Sequence, residues 1–194
     1  MLVLIIVAAA IALIGLFVWL TYNRMIARRL GVDNSWAQID AALQRRHDLI
    51  PNLVEAVKGY AKHERATFDE VTQARSAAQA ASGPAPQAAA EGTLAAALGR
   101  LMAIAEDYPD LRATENFSKL QSQLAETEDQ IQVTRRVYND SVQTYNTLIQ
   151  IFPPSLVARA FNFDARQFFD APDEAEAAPQ VSFTGPESGT APAE

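Results

Sequence analysis

Phe117, Leu124, Ile131, Tyr138, Tyr145 and Phe152 follow one another at steps of seven without a miss. Leu120, Thr127, Thr134, Ser141 and Leu148 fill the positions three further on. Spacings of three and four return a residue to one side of an α-helix, so this stretch predicts one long helix carrying a continuous seam. Such a seam needs a partner. A second one runs through Trp36, Ile39, Leu43, Ile50, Leu53, Val57 and Tyr60. The seam of the last helix alternates large and small residues, which suits close antiparallel packing better than a dimeric zipper. The expected fold is all-α, an elongated antiparallel up-and-down helical bundle. Abundant alanine and only eight glycines agree with it.

The second seam keeps its phase across Pro51, inside Arg45-Arg46-His47-Asp48-Leu49-Ile50-Pro51-Asn52-Leu53-Val54-Glu55. A proline inside a helix lacks the N–H donor and crowds the preceding turn, at a cost of about 3 kcal/mol. A kinked helix is expected there, resuming through Phe68, Val71 and Ala74 to about Ala81. Gly31 to Ser35 reads as a break before it, with Asp33, Asn34 or Ser35 as caps. Ser82 to Gly92, with Gly83, Pro84 and Pro86, reads as a loop, and Thr93 to Asp107 as a short helix stopped by Pro109. Pro153-Pro154 ends the long seam, and Ser155 caps a short helix through Phe161. The aromatic cluster Phe161, Phe163, Phe168 and Phe169 follows, read as closing the end of the bundle, the alternative being a patch that touches membrane or partner.

Leu2 to Leu20 is nineteen residues without a charge, thirteen of them Leu, Ile, Val or Phe. At about 1.5 Å per residue the run spans roughly 28 Å, the thickness of a bilayer core. Trp19 and Tyr22 stand where an interfacial aromatic belt belongs. No basic region precedes the run and no small-x-small cleavage site follows it, so an uncleaved transmembrane helix is expected, with membrane lipids as partners along residues 2–22. Arg24, Arg28 and Arg29 follow the span with no acid before Asp33, which by the positive-inside rule puts the N-terminus outside and the bundle in the cytoplasm, at the inner membrane. The chain thus divides into an anchor (1–22), a juxtamembrane linker (23–35), the bundle (36–169) and an acidic, disordered tail (170–194). That tail holds six of the seven net negative charges. No basic face is dense enough to neutralise phosphates, which excludes nucleic acid as a partner.

Absent cysteine removes disulfides, thiolate metal sites and a cysteine nucleophile. His47 and His63 lack the Glu-x-x-His spacing of carboxylate-bridged di-metal bundles, and His63-Glu64 has no second histidine for a zinc-protease helix. No serine or lysine sits in a nucleophile setting. No catalytic residue, cofactor or metal ligand is therefore assigned. Arg46 nevertheless occupies an inward slot, and Glu128 and Arg135 interrupt the facing seam. Arg46, His47, Asp48, Glu128 and Arg135 read as a structural polar network that fixes register. The sharper alternative is a binding site at the kink, opened by the hydrogen bond missing at Pro51. Tyr138-Asn139 and Tyr145-Asn146 repeat one heptad apart; a packed ring with its hydroxyl on an edge acceptor is the expected use of each tyrosine.

Arg45 to Glu55, Lys58-Gly59-Tyr60-Ala61-Lys62-His63-Glu64 and Tyr108-Pro109-Asp110-Leu111 together resemble the LemA family. So does the run from Asn116-Phe117 through Glu126-Thr127-Glu128-Asp129, Tyr138-Asn139, Tyr145-Asn146 and Phe152-Pro153. The resemblance covers roughly residues 1–183; Gly92 departs from it, where a polar helix former is usual, and is expected to shorten the third helix. It implies a bacterial protein with one transmembrane helix and a cytoplasmic bundle, and it brings no catalytic residue with it. The expected role is a non-enzymatic scaffold or adaptor at the inner membrane, with protein partners to be identified and a second copy of the chain as a further candidate. The rival is a ligand- or peptide-sensing membrane protein that uses Arg45 to Glu55.

Overall fold

The computed structural model describes residues 1–169, so the acidic segment 170–194 lies outside the described residues. Six helices account for nearly all of them: α1 (Leu2–Lys58), α2 (Arg65–Ala80), α3 (Pro84–Glu106), α4 (Pro109–Arg112), α5 (Glu115–Gln150) and α6 (Pro154–Ala160). No strand occurs among the described residues. The fold is all-α, with an apolar N-terminal helix leading into a bundle in which α5 runs along α1 and α2 packs on α3.

The break expected at Gly31 to Ser35 does not exist: α1 continues through it, for 57 residues in all. Its would-be caps are engaged otherwise. Ser35 Oγ donates back to Val32 O (2.9 Å) and Asp33 pairs with Arg166 (2.9 Å). Conversely, no single helix reaches Ala81. α1 ends at Lys58, the turn at 59–64 leaves Tyr60 half exposed, and Phe68, Val71 and Ala74 are buried on the separate helix α2. The loop expected at Ser82 to Gly92 is mostly helix, and Gly92 does not shorten α3. Pro84 stands at the first helical position, where the absent N–H has no intrahelical partner to lose. Residues 81–83 make the connection, with Gly83 at φ 91° and ψ 160°, a region open in practice only to glycine. α3 is also apolar enough to cross a membrane, but Leu94, Ala97, Leu98, Leu101 and Ala105 are buried in the bundle.

Two hydrophobic cores result. The one distal to the apolar span joins Ile50, Leu53 and Val57 of α1 to α2, α3, Leu111 and the start of α5 at Phe117 and Leu120. The proximal one joins Met25, Val32, Ile39 and Leu43 to Ile131, Tyr138, Tyr145 and Leu148, with α6, Phe163 and Phe169. Along α1 the cores are separated by Arg46 and His47, and along α5 by Thr127. In the proximal half α1 and α5 are alone as long helices. Two helices leave much of their apolar seam in water, and α6 with the segment that follows it covers the remainder. The heptad seam of α5 stays inward as far as Leu148, whereas Phe152, beyond the helix end, is 79% exposed.

Candidate functional site

Arg46 and His47 are each only 3% exposed. Arg46 Nη1 donates to Glu128 Oε2 (2.7 Å), and its Nη2 donates to the backbone carbonyl of Glu91 (3.2 Å) and lies 3.2 Å from Glu91 Oε2. His47 Nε2 donates to Glu91 Oε1 (2.8 Å). Gln87 Nε2 lies 3.0 Å from that same oxygen and 3.0 Å from the carbonyl of Ala78, the end of α2. The junction therefore ties α1, α2, α3 and α5 at one level. Its central acceptor is Glu91, which is buried. Glu91 and Gln87 lie in the stretch that reads as a loop in sequence; the spacing of four from Gln87 to Glu91 and of three from Glu91 to Leu94 is the signal that places them on one helix face.

Asp48 is not part of this junction. It is exposed on the outer side of α1 and accepts from Gln44 (3.2 Å). Arg135 is partly buried on α5, in the same cleft as Arg46, Glu91 and Glu128, and makes no ion pair among the described residues. Pro51 lies within a continuous α1, and its missing N–H leaves the carbonyl of His47 without its helical donor. That carbonyl is taken: Arg75 Nε of α2 donates to it at 2.8 Å. The proline thus exchanges an intrahelical bond for one between helices, and no binding site opens at that atom. Beside the junction, between α3 and α5, lies an open groove of about 450 Å³, lined by Leu98, Gly99, Met102 and Leu124 with Arg46 and Glu128 at its edge.

The two Tyr-Asn pairs act together on the other side of the molecule. Asn146 donates to the carbonyl of Arg166 (2.9 Å) and accepts from its N–H (2.8 Å). Asn139 does the same to Phe169, at 3.3 and 2.9 Å. Tyr145 donates to the carbonyl of Asp164 (3.0 Å) and Tyr138 to that of Gln167 (2.7 Å). Each asparagine side chain thus offers one donor and one acceptor to a single residue, as a neighbouring strand would. The spacing is commensurate: seven residues of helix advance about 10.5 Å, which three residues cover only when extended, at about 3.5 Å each. Residues 162–169 form a strap laid antiparallel on α5. Phe163 and Phe169 seal the proximal core, Trp36 packing on Tyr138 and Phe169, while Phe161 and Phe168 stay partly exposed. Burial raises both tyrosine hydroxyls above the usual phenol range, opposed by Arg166.

Among the described residues no three His, Asp or Glu side chains gather where they could hold a metal ion. The long seams, the strap and the junction all serve to position α1 on α5.

Comparison with known proteins gives the same assignment. The chain is 26% identical over 174 residues to the magnetosome protein MamQ 1 of Paramagnetospirillum magneticum, covering 76% of this chain and 64% of that protein. It is 26% identical over 191 residues to the magnetosome protein MamQ of Magnetospirillum gryphiswaldense, covering 82% of this chain and 70% of that protein. It is 25% identical over 150 residues to Protein LemA of Metamycoplasma hominis, covering 77% and 68%. The match thus spans just under two thirds of the first of these relatives. The family sequence profile matches residues 35–183, from the first turns of the bundle past the strap, and leaves the apolar span outside the matched range. The chain belongs to the LemA family.

Proposed function

We propose that this chain is a non-enzymatic, membrane-anchored scaffold that holds a long helical bundle beside the inner membrane as a platform for partner proteins. One observation carries the reading. α1 runs without a break from the apolar span into the bundle, and the ionisable side chains that converge inside, Arg46, His47 and Glu91, are paired with one another, with Arg46 Nε and Glu91 Oε2 left without a hydrogen bond. A general acid or base must reach a substrate. His47 is 3% exposed and its Nε2 is bonded to Glu91. By the arginine count after the span the bundle lies in the cytoplasm and the N-terminus outside.

The test is photocrosslinking in living membranes from exposed positions such as Val133 and Val137 of α5. Discrete protein adducts that persist when His47 is replaced by Gln are expected; adducts at no bundle position would overturn the scaffold. A reporter fused after Glu194 should be active in the cytoplasm, and activity on the far side would reverse the orientation.

The groove between α3 and α5 favours the second reading, a sensor of an apolar ligand or peptide. Nothing stands within 4 Å of a Cβ added at Gly99, so Gly99→Leu fills the groove from its wall. Adducts unchanged in Gly99→Leu favour the scaffold, and their loss favours the sensor.

A further inference from the structure

The register of α1 on α5 fixes the height of every bundle feature relative to the apolar span. Arg46 meets Glu128, and Trp36 meets Tyr138: ten residues down α1 correspond to ten residues up α5. Fourteen more in each direction bring Tyr22 level with Phe152. The turn between α5 and α6 therefore stands about 3 Å, or two residues of helix rise, past the end of the apolar run at Leu20. Contacts agree with this placement. Tyr22 packs edge-on against Phe161 (5.0 Å) and Phe163 (5.6 Å). Thr21 and Met25 are buried, and Val18, inside the apolar span itself, packs against the proximal core. The end of the bundle thus overlaps the end of the span.

What this end displays is apolar. Ile151 is 47% exposed, Phe152 79%, Leu156 59% and Phe161 50%, with Pro153 between them. Water is a poor partner for that group of side chains at the tip of a bundle whose other large apolar residues are mostly inside. Arg24 and Arg159 are exposed nearby in sequence and carry the charge that anionic head groups attract.

We infer that the α5–α6 turn and the outer face of α6 form a second membrane contact, in which Ile151, Phe152, Leu156 and Phe161 enter the interfacial layer of the bilayer that α1 crosses. The occupant of this face is lipid, because the face is continuous with the apolar span and lies level with its end. The inference rests on the membrane-anchoring reading of α1, and its test separates the two. The sequence contains no cysteine, so single cysteines can be placed at will. Phe152→Cys, Leu156→Cys, Leu20→Cys and Val133→Cys are each made in the full chain. Each is labelled with an environment-sensitive fluorophore and reconstituted into vesicles of phosphatidylcholine and phosphatidylglycerol. Quenching is read with lipids carrying a nitroxide high on the acyl chain. Labels at 152 and 156 should be quenched at least about half as strongly as the label at 20, with blue-shifted emission, while the label at 133 stays aqueous. Quenching at 20 but not at 152 or 156 overturns the second contact and leaves the anchor standing. Blue-shifted emission at 152 without lipid quenching means that protein covers the tip, and also overturns it. Absence of quenching at all four positions overturns the anchor and the contact together.

Discussion

Replacing Glu91 tests whether the junction between the two cores is held by its buried acceptor. In Glu91→Ala, His47 and Gln87 lose the oxygen they share at 2.8 and 3.0 Å, and Arg46 loses a carboxylate at 3.2 Å. Removing one partner of a buried pair costs about 3–5 kcal/mol, because the groups left behind stay desolvated. Arg46 keeps Glu128 at 2.7 Å, which places the expected loss near the lower bound, about 3 kcal/mol. For a chain of this size that is a fall in melting temperature of roughly 6–12 °C. Glu128→Ala, whose carboxylate is half exposed, should cost about 1 kcal/mol or less. The triple replacement Arg46→Met, His47→Leu and Glu91→Leu removes every buried charge at once and should melt within a few degrees of the parent, or above it. The assay is thermal unfolding by far-ultraviolet circular dichroism of the full chain in one detergent at fixed concentration. Equal losses for Glu91→Ala and Glu128→Ala would refute the reasoning. So would a triple variant that melts as low as Glu91→Ala.

Three further outcomes follow from the geometry. Asn146→Ala and Asn139→Ala each remove two bonds to the strap, so each should cost about 1–2 kcal/mol and speed hydrogen exchange at the amides of Arg166 and Phe169 while the distal core stays protected. Pro51→Ala restores an N–H for the His47 carbonyl, so Arg75→Ala should cost less in that background than in the parent, by roughly 0.5–1.5 kcal/mol in a double-mutant cycle of melting energies; an identical cost in both would deny that Arg75 replaces the missing donor. The tyrosines set an alkaline limit. With Tyr138 and Tyr145 raised above 10.0 in the folded chain, the unfolded chain releases their protons first. Their contribution is therefore constant below pH about 10 and lost as pH rises beyond it, which Tyr138→Phe should blunt in a stability–pH titration.

The long helices were legible because their seams are made of large side chains at strict spacing, and the antiparallel arrangement followed from the small residues of α5. Helix ends were not. Asp33 and Ser35 read as caps when only sequence is considered, yet the α1 seam runs on beneath them through Met25, Val32 and Ile39, and tertiary packing outweighs local preference. Pro84 and Pro86 read as a loop although proline is favoured in the first turn of a helix. That error concealed Glu91, and with it the centre of the polar junction. The Tyr-Asn repeat pointed to tyrosine hydroxyls on edge acceptors but not to the non-helical strap that supplies them, because an irregular segment has no period by which it announces itself in sequence.

The continuity of α1 also has a mechanical meaning. A helix with a joint at its membrane surface would let the bundle pivot freely, whereas one without a joint is a lever with its fulcrum in the bilayer. Transmembrane helices tilt by about 20° on average, and over the roughly 39 Å from Leu20 to Arg46 such a tilt carries the polar junction about 13 Å sideways. Whatever anchors the helix at the membrane surface would then set the position of the bundle, and the apolar tip at Phe152 would be the stop against which the lever rests.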